Sequence, residues 1–327
     1  MSTVLHYYRG RVALHATLRA LHVSPGDEVI VPGYTCPAVV EPLLRLGIRP
    51  VFADIDRATL VASPASIRER ITGRTRAVIV QHTFGYPAPV REITELPVIE
   101  DCAHIGPGSI DVGYGGVAAI YSYEQGKPAV AGPGGAAVVH DPALAAEMHT
   151  RYARYSAPPL RPELTASAEY LAYRLTDELG LRWRCRPQPS DAEYGWRMSR
   201  GVRERLSRRI TAARRDIGVR RKVLTAYERG LDRLAVSHHP RPGPEAIPLC
   251  LPVRVFGKAT VLREAADAGV ELGDRFRTPP GYLAGSCPNA EWALGHLVTL
   301  PVRSSVSPAD VHKTMQLFDR LKAKGHV

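Results

Sequence analysis

The chain of 327 residues is 45% hydrophobic and 23% charged, a composition typical of a globular protein of about two domains. No apolar run approaches the roughly 20 residues of a membrane-spanning helix, which excludes an integral membrane protein. Residues 1–15 lack the basic and then apolar pattern of a secretory leader, so we expect a cytoplasmic protein.

The formal net charge of +11 would suit a polyanion or a phosphorylated substrate, because a positive field concentrates anions. Most of this charge is arginine, since only six of the 43 basic residues are lysines. A coding bias towards arginine explains this excess as well as a nucleic-acid role does. Lys127 is the only lysine among the first 221 residues. A lysine can lose its proton and react as an amine, so Lys127 is a candidate for covalent chemistry.

Short apolar strands alternate with helical segments in the first 110 residues. Residues 11–22 and 37–47 have apolar positions at helical spacing. Strand-like segments lie at 29–32, 50–55, 77–82 and 97–101. This order predicts a parallel sheet covered by helices on both faces. Ligands bind beyond the carboxyl ends of such strands, and Asp54, His82 and Asp101 occupy those ends.

Two further predicted strands, 119–123 and 136–140, flank a loop rich in Gly and Pro that carries Lys127. This arrangement predicts a rigid platform for the lysine. Residues 200–235 predict one long, arginine-rich amphipathic helix, and we place a domain boundary near residue 200. The remainder predicts a smaller α+β domain, with strands at 248–256 and 297–302 and helices at 259–268 and 308–324.

The long basic helix and the cysteines have plain interpretations. The arginines occupy all faces of the predicted helix except one apolar stripe, which favours a connecting helix packed on one side. No zinc-finger spacing, helix-turn-helix signature or aromatic interleaving indicates a nucleic-acid partner. The five cysteines are scattered without C-x-x-C spacing, so we expect reduced thiols and no metal site. They are Cys36, Cys102, Cys185, Cys250 and Cys287.

Three features together fit pyridoxal 5'-phosphate (PLP). Asp101 ends a predicted strand, Lys127 follows 26 positions later, and Gly10 precedes the first predicted helix. A deprotonated lysine can condense with an aldehyde. An acidic partner keeps a pyridine nitrogen protonated, and a helix N-terminus binds phosphate through its N–H groups. The constellation therefore predicts a PLP site.

Seven stretches of the chain resemble the DegT/DnrJ/StrS family of PLP-dependent aminotransferases and occur in the family's order. They are GRVALHATLRAL, PGDEVIVPGYTCPAVVEPLLRLGIRPVFADID, AVIVQHTFGYP, PVIEDCAH, YSYEQGKPAVAGPGGAAVV, YGWRMS and CPNAEWALGHLVTLPV. The resemblance implies an α/β protein of fold type I. Its large PLP-binding domain (1–200) would hold a mostly parallel sheet with helices on both faces, and a smaller C-terminal α+β domain would follow (201–327).

The resemblance also implies roles for single residues. Lys127 would be the Schiff-base lysine and the acid–base catalyst, and Asp101 would pair with the pyridinium nitrogen. His104 would lie near the cofactor ring or its 3'-oxygen. Ser122 and the pair Gly10 and Arg11 would bind the phosphate, Arg11 by charge where the family usually has a hydroxyl.

Two positions depart from the family's pattern. Cys36 stands where an aromatic ring usually stacks on the cofactor, so stacking is weaker or Tyr34 takes over. Gly195 stands where an asparagine usually reaches the partner subunit's phosphate, which puts cofactor binding across the dimer interface in doubt.

Each residue has a plainer interpretation when taken alone. Lys127 is then a solvated surface lysine, Asp101 a helix cap, His104 a core histidine and Ser122 a structural strand residue. Cys36 and Cys102 are then small buried residues, Asp54 and Asp56 tie a turn, and His82 receives no role.

The function implied by the resemblance is that of a homodimeric aminotransferase. An amino donor such as glutamate would pass its nitrogen through PLP to a keto acceptor, habitually a nucleotide-linked keto sugar in this family. Two alternatives remain open: a PLP-dependent lyase, decarboxylase or cyclase of secondary metabolism, and a non-catalytic basic binding protein on the same fold.

Overall fold

The structure is a computed structural model that describes residues 2–106, 112–178, 190–241, 243, 247–276 and 286–327. The strands are β1 (Thr3–Tyr7), β2 (Glu28–Pro32), β3 (Arg49–Ala53), β4 (Thr75–Gln81), β5 (Val98–Asp101), β6 (Ala118–Ser122), β7 (Gly135–Val139), β8 (Cys250–Arg254) and β9 (Leu297–Pro301). The helices are α1 (Gly10–Ala20), α2 (Pro37–Arg45), α3 (Pro64–Glu69), α4 (Pro142–Tyr152), α5 (Leu160–Glu178), α6 (Arg200–Arg215), α7 (Ile217–Arg233), α8 (Lys258–Asp267), α9 (Pro288–His296) and α10 (Pro308–Ala323).

The large sheet has seven strands in the order β1-β7-β6-β5-β4-β2-β3. The pairs from β6 to β3 are parallel, whereas β7 runs antiparallel to both β6 and β1. The predicted parallel strands are confirmed, and β1 adds an edge strand that the sequence did not predict. Every residue of β2 and β5 is buried, which is why these strands read as continuous apolar runs.

The long basic segment forms two helices, so the prediction of one continuous helix over 200–235 is wrong. The break falls at Asp216, whose carboxylate accepts a hydrogen bond from the Ser304 hydroxyl at 3.0 Å. The two helices have different partners. Val202 and Leu206 of α6 pack against Ala131 in the loop that carries Lys127, whereas α7 packs into a second core with α10. Because α6 and α7 pack against different partners, the segment divides into two helices at Asp216.

The C-terminal part contains the predicted small sheet, in which β8 and β9 pair antiparallel under α7, α8 and α10. Helix α9 instead packs in the core of the large sheet. Its N-terminus is capped by Asp54, whose carboxylate accepts hydrogen bonds from the N–H groups of Asn289 at 3.0 Å and Ala290 at 2.9 Å. Asp54, predicted to tie a turn, thus also ties the C-terminal part to the end of β3.

Cys36, Cys102, Cys250 and Cys287 are free thiols, and Cys185 lies outside the described residues. Within the part of the chain that the structure describes, no helix has both the length and the apolar character needed to cross a bilayer.

Candidate active site

The candidate site lies at the carboxyl ends of β4, β5 and β6. Asp101 ends β5 and pairs in register with Gln81 of β4 and Ile120 of β6. Lys127 lies in the loop between β6 and β7, which folds back on itself through the hydrogen bonds Ala131 N to Tyr123 O (2.9 Å) and Tyr123 N to Gly134 O (2.9 Å). The loop is therefore the platform that the sequence predicted.

Asp101 is a buried carboxylate beside a positive charge. Burial raises its pKa, and the charge of Lys127 together with the Ala103 N–H, which donates to Asp101 Oδ1 at 2.9 Å, partly offsets that rise. A buried carboxylate is costly unless a cationic or hydrogen-bonding group pairs with it. A protonated pyridine nitrogen would be such a group, so the donor set at the end of β5 fits PLP.

His104 is held as a neutral imidazole. The Phe84 N–H donates to its Nδ1 at 3.1 Å, which assigns the ring proton to Nε2. Burial lowers its pKa well below the usual value, and the charges of Lys127 and Arg275 act in the same direction. The imidazole stacks on the rings of Phe84 (5.7 Å) and Phe276 (5.6 Å). His104 is thus a fixed hydrogen-bond donor near Lys127.

The N-terminus of α1 forms a candidate phosphate cradle. Gly10 is the first residue of this helix, where N–H groups lack intrahelical acceptors. A Cβ built on Gly10 would lie 3.1 Å from Ser122 Cβ and 3.5 Å from Ser122 Oγ, so the two residues are neighbours. The Arg11 guanidinium points elsewhere and pairs with Glu41 Oε2 at 2.5 Å. Gly10 and Ser122 fit a phosphate, with Arg11 contributing to the same helix end through its backbone.

The comparisons with known proteins agree with this geometry. Residues 4–177, slightly more than half of the chain, match the DegT/DnrJ/EryC1/StrS aminotransferase family. The chain belongs to this family. The resemblance inferred from the motifs is therefore confirmed.

The curated relatives align over part of their length. The chain is 38% identical over 144 residues to GDP-perosamine synthase of Escherichia coli, covering 41% of this chain and 40% of that protein. It is 34% identical over 196 residues to L-glutamine:2-deoxy-scyllo-inosose aminotransferase of Streptomyces kanamyceticus, covering 52% and 46%. The aligned regions thus span about half or less of these relatives.

Solved structures of other proteins superpose on almost the whole chain. The aminotransferase TlmJ from Streptoalloteichus hindustanus superposes with a TM-score of 0.75 at 24% identity, over 98% of this chain and 86% of that chain. A 3-amino-5-hydroxybenzoic acid synthase gives 0.74 at 23% identity, over the same shares. Together with the observed sheet, these likenesses confirm the predicted fold type I.

The structure also shows the surroundings of Cys36 and Gly195, the two residues that depart from the family's pattern. Cys36 is half-buried at the N-cap of α2. Tyr34, the ring that could replace the usual aromatic, is buried and packs edge-on against Phe276 (4.9 Å) and Phe84 (5.9 Å). Gly195 ends a short 3-10 helix, and a Cβ there would meet no atom of the structure within 4 Å.

Arg9, which was not predicted from the sequence to be a site residue, connects three segments of the site. They are the start of α1, the loop of Lys127 and the segment that contains Glu193. Its guanidinium pairs with Glu124 in the loop of Lys127 and, through Nε at 2.6 Å, with Glu193. Burial opposes its charge, but the two carboxylates outweigh burial and raise the pKa of Arg9. Because Arg9 is the N-cap of α1, this buried cluster ties the phosphate cradle to the Lys127 loop.

Glu100, the residue before Asp101, holds a second buried cluster, with His82 and Cys102 at a spacing that could ligate a metal. Glu100 Oε2 accepts a hydrogen bond from His82 Nε2 at 3.0 Å, since His82 Nδ1 already accepts the Ala88 N–H. Its oxygens also accept the backbone N–H groups of Gly113, Gly115 and Gly116. Although burial alone would raise it, these hydrogen bonds lower the pKa of Glu100. The carboxylate is satisfied, and the cluster is structural.

Gly135 was also not predicted to be a site residue, although it lies in the GPGGAAVV motif. It pairs with Ser122 across the β6–β7 hairpin. A Cβ at Gly135 would lie 2.3 Å from Gly10 N and 2.4 Å from Arg9 C, so any side chain would displace the start of α1. The glycine lets β7 approach the phosphate cradle.

We expect Gly135→Ala to weaken PLP binding and to lower the melting temperature by roughly 2–10 °C, because overpacking of this kind costs about 1–3 kcal/mol. PLP titration and thermal melts measure both effects. Gly73→Ala is the matched control, since a Cβ at Gly73 meets nothing within 4 Å. Unchanged PLP affinity in Gly135→Ala would contradict the assignment of the cradle.

Proposed function

We propose that this chain is a PLP-dependent aminotransferase that moves an amino group from an amino acid to a keto acceptor. The observation that carries the proposal is the shared site of Asp101 and Lys127, in which the lysine's charge acts on the buried carboxylate at the end of β5. One cofactor needs both groups, an amine for its aldehyde and an acid for its ring nitrogen.

The residues of the site would hold the cofactor at its two ends. Asp101 would accept a hydrogen bond from the pyridine nitrogen, and Lys127 Nζ would hold the aldehyde carbon. Gly10 and Ser122 would hold the phosphate through the helix N-terminus and a hydroxyl. His104 would donate its Nε2–H towards the ring or its 3'-oxygen.

Arg11 and Cys36 would complete the cofactor site. We propose that Arg11 contributes its backbone N–H to the phosphate, because its guanidinium is engaged by Glu41. Cys36 precedes α2 and would lie against one face of the ring, where a thiol stacks less well than an aromatic ring.

When bound, PLP supplies a ring that accepts electrons from the substrate's α-carbon. The chain supplies the rest. Lys127 Nζ would take the proton from one substrate carbon and return it to another atom, as a general base and then a general acid. Asp101, kept ionised by its cationic partner, would favour the protonated ring nitrogen. The buried, packed rings of Phe84 and Phe276 beside His104 would exclude water from this end of the site.

The substrates are proposed from the named relatives and from charge. The inosose aminotransferases carry L-glutamine as donor in their names. We therefore propose glutamine or glutamate as donor, and a keto group on a sugar or cyclic polyol as acceptor. A net charge of +11 would favour an acceptor linked to a diphosphate. A cytoplasmic homodimer remains the proposed state of the protein.

A half-reaction tests the proposal. L-glutamine or L-glutamate added to the PLP-loaded protein should remove the absorbance near 420 nm, a position roughly expected for this cofactor on a lysine. The matching keto acid should appear, and a keto acceptor should restore the band. Ammonia or carbon dioxide without a keto acid would favour a lyase or decarboxylase instead. A protein that responds to no amino acid would contradict the proposal.

A further inference from the structure

Arg9 joins two segments that lie far apart in the sequence. Its NH1 nitrogen donates to Glu124 in the loop of Lys127. Its Nε and NH2 nitrogens donate to the two carboxylate oxygens of Glu193, at 2.6 and 3.4 Å. Every nitrogen of the guanidinium is engaged, and only 10% of the side chain is exposed. Arg9, Glu124 and Glu193 thus form a buried group, which we call the Arg9 bridge.

The charges of the Arg9 bridge make it a fixed support and not an anion site. One guanidinium lies between two carboxylates, so the bridge has a net negative charge and offers no free cation to a phosphate. Glu193 is as buried as Arg9, and breaking a buried ion pair is costly because it leaves a charge without a partner. The Tyr8 ring lies 5.3 Å from the guanidinium carbon. The bridge therefore keeps one geometry.

The first end of the Arg9 bridge is the start of α1. Arg9 is the N-cap of this helix, and its carbonyl oxygen accepts hydrogen bonds from the N–H groups of Val12 and Ala13, each at 3.1 Å. One peptide bond joins Arg9 to Gly10, the first residue of the candidate phosphate cradle. An anion bound at this helix end would therefore fix the backbone of Arg9 and, through it, the guanidinium.

The second end of the Arg9 bridge is the turn that presents Lys127. Lys127 N donates to Glu124 O at 3.2 Å, so the residue held by Arg9 and the candidate Schiff-base lysine close one turn. Gly126, within this turn, has a φ of 76°, a left-handed conformation that glycine adopts without strain. Because glycine also leaves the backbone free to move, the anchor at Glu124 restricts where Lys127 Nζ lies.

We propose that Arg9 and Glu124 are positioning residues that couple anion binding at Gly10 to covalent attachment at Lys127. Phosphate binding orders the start of α1, and the Arg9 bridge transmits that order to the turn. Lys127 then loses less freedom when its amine condenses with the aldehyde and releases water. Coupling is reciprocal, so attachment at Lys127 tightens anion binding by the same factor. The inference rests on the proposed PLP-dependent function.

The cofactor divided into two pieces measures this coupling. 5-Deoxypyridoxal carries the aldehyde and the ring without the phosphate, and phosphite is an anion that fits the cradle. The cofactor-free protein is titrated with 5-deoxypyridoxal, with and without phosphite, and the band at about 420 nm is followed. In the wild type, phosphite should tighten attachment about 5- to 20-fold, within the usual range of coupling between sites. Calorimetry should give the same factor for phosphite when 5-deoxypyridoxal is present.

Glu124→Ala cuts the bridge at the loop and leaves Arg9 paired with Glu193. The coupling factor should fall below about 2-fold. Phosphite alone should bind no more weakly than to the wild type, since the helix end is intact. Glu124→Gln has the same charge as Glu124→Ala but keeps an acceptor for Arg9 NH1, so it should retain an intermediate factor. Glu147→Ala is the matched control and should keep the wild-type factor, because Glu147 forms an ion pair of similar exposure with Arg151 on α4.

Each outcome bears on a stated claim. A lower melting temperature in Glu124→Ala with an unchanged coupling factor would show a purely structural role and overturn the inference. A wild type that binds the two pieces independently would overturn it as well and leave the cofactor site intact. If Glu124→Ala does not fold, an unchanged factor in Glu124→Gln overturns the inference. A wild type that shows no such band with 5-deoxypyridoxal or with PLP would overturn the proposed function, and this inference with it.

Discussion

Lys127→Ala should lose the 420 nm band and slow amino transfer by about 10⁴-fold or more, because it removes both the covalent attachment and the proton carrier. The variant should fold, since the loop is held by backbone hydrogen bonds such as Lys127 N to Glu124 O at 3.2 Å. Absorbance spectra and single-turnover rates measure the two losses.

Two other lysines help to interpret this experiment, Lys222 as a control and Lys258 as an alternative attachment site. Lys222→Ala, an exposed change on α7, is the control and should leave spectrum and rate unchanged. Lys258 is not a substitute for Lys127, because its Nζ is held by Asp274 and by Leu294 O, each at 2.7 Å. A 420 nm band retained in Lys127→Ala would show that another lysine holds the cofactor.

Asp101→Asn should raise the stability of the cofactor-free protein and lower the activity of the PLP-loaded protein. In the cofactor-free protein, burial raises the pKa of Asp101 above 3.8, so the ionised carboxylate costs stability at every pH above its folded pKa. Asparagine removes that charge and can still accept the Ala103 N–H. The cofactor-free variant should therefore melt higher than wild type at pH 8, and the difference should shrink as the pH falls through the folded pKa towards 3.8.

With PLP bound, the same substitution should reduce amino transfer by about 10²–10³-fold, as expected when one electrostatic group is lost from a reaction centre. Melting curves of the cofactor-free protein between pH 5 and 8 and half-reaction rates provide the two measurements. Asp267→Asn, at an exposed position of α8, is the control. A lower melting temperature at pH 8 together with full activity would refute the role assigned to Asp101.

Local patterns predicted the parts of the fold that local sequence controls. The continuous apolar runs of β2 and β5 follow from burial on both faces. Proline marks the first turn of α2, α3, α4, α9 and α10, as its missing N–H allows. The break at Asp216 could not be predicted, because it depends on which core each half of the basic segment meets.

The same distinction applies to the site. Asp101, His104 and Lys127 lie close along the chain in recognisable motifs, and the structure brings the charge of Lys127 within reach of the two buried side chains. Gly135 and Arg9 contact residues more than a hundred positions away, at Gly10 and Glu193. No periodicity or spacing carries that information, since these contacts form only when distant parts of the chain fold together.

Reduction of the PLP-loaded protein with borohydride, followed by proteolysis and mass spectrometry, locates the covalently bound cofactor. Our account predicts a phosphopyridoxyl group on the peptide that contains Lys127 and on no other. The same group on Lys258 or any other lysine, or no incorporation at all, would contradict it.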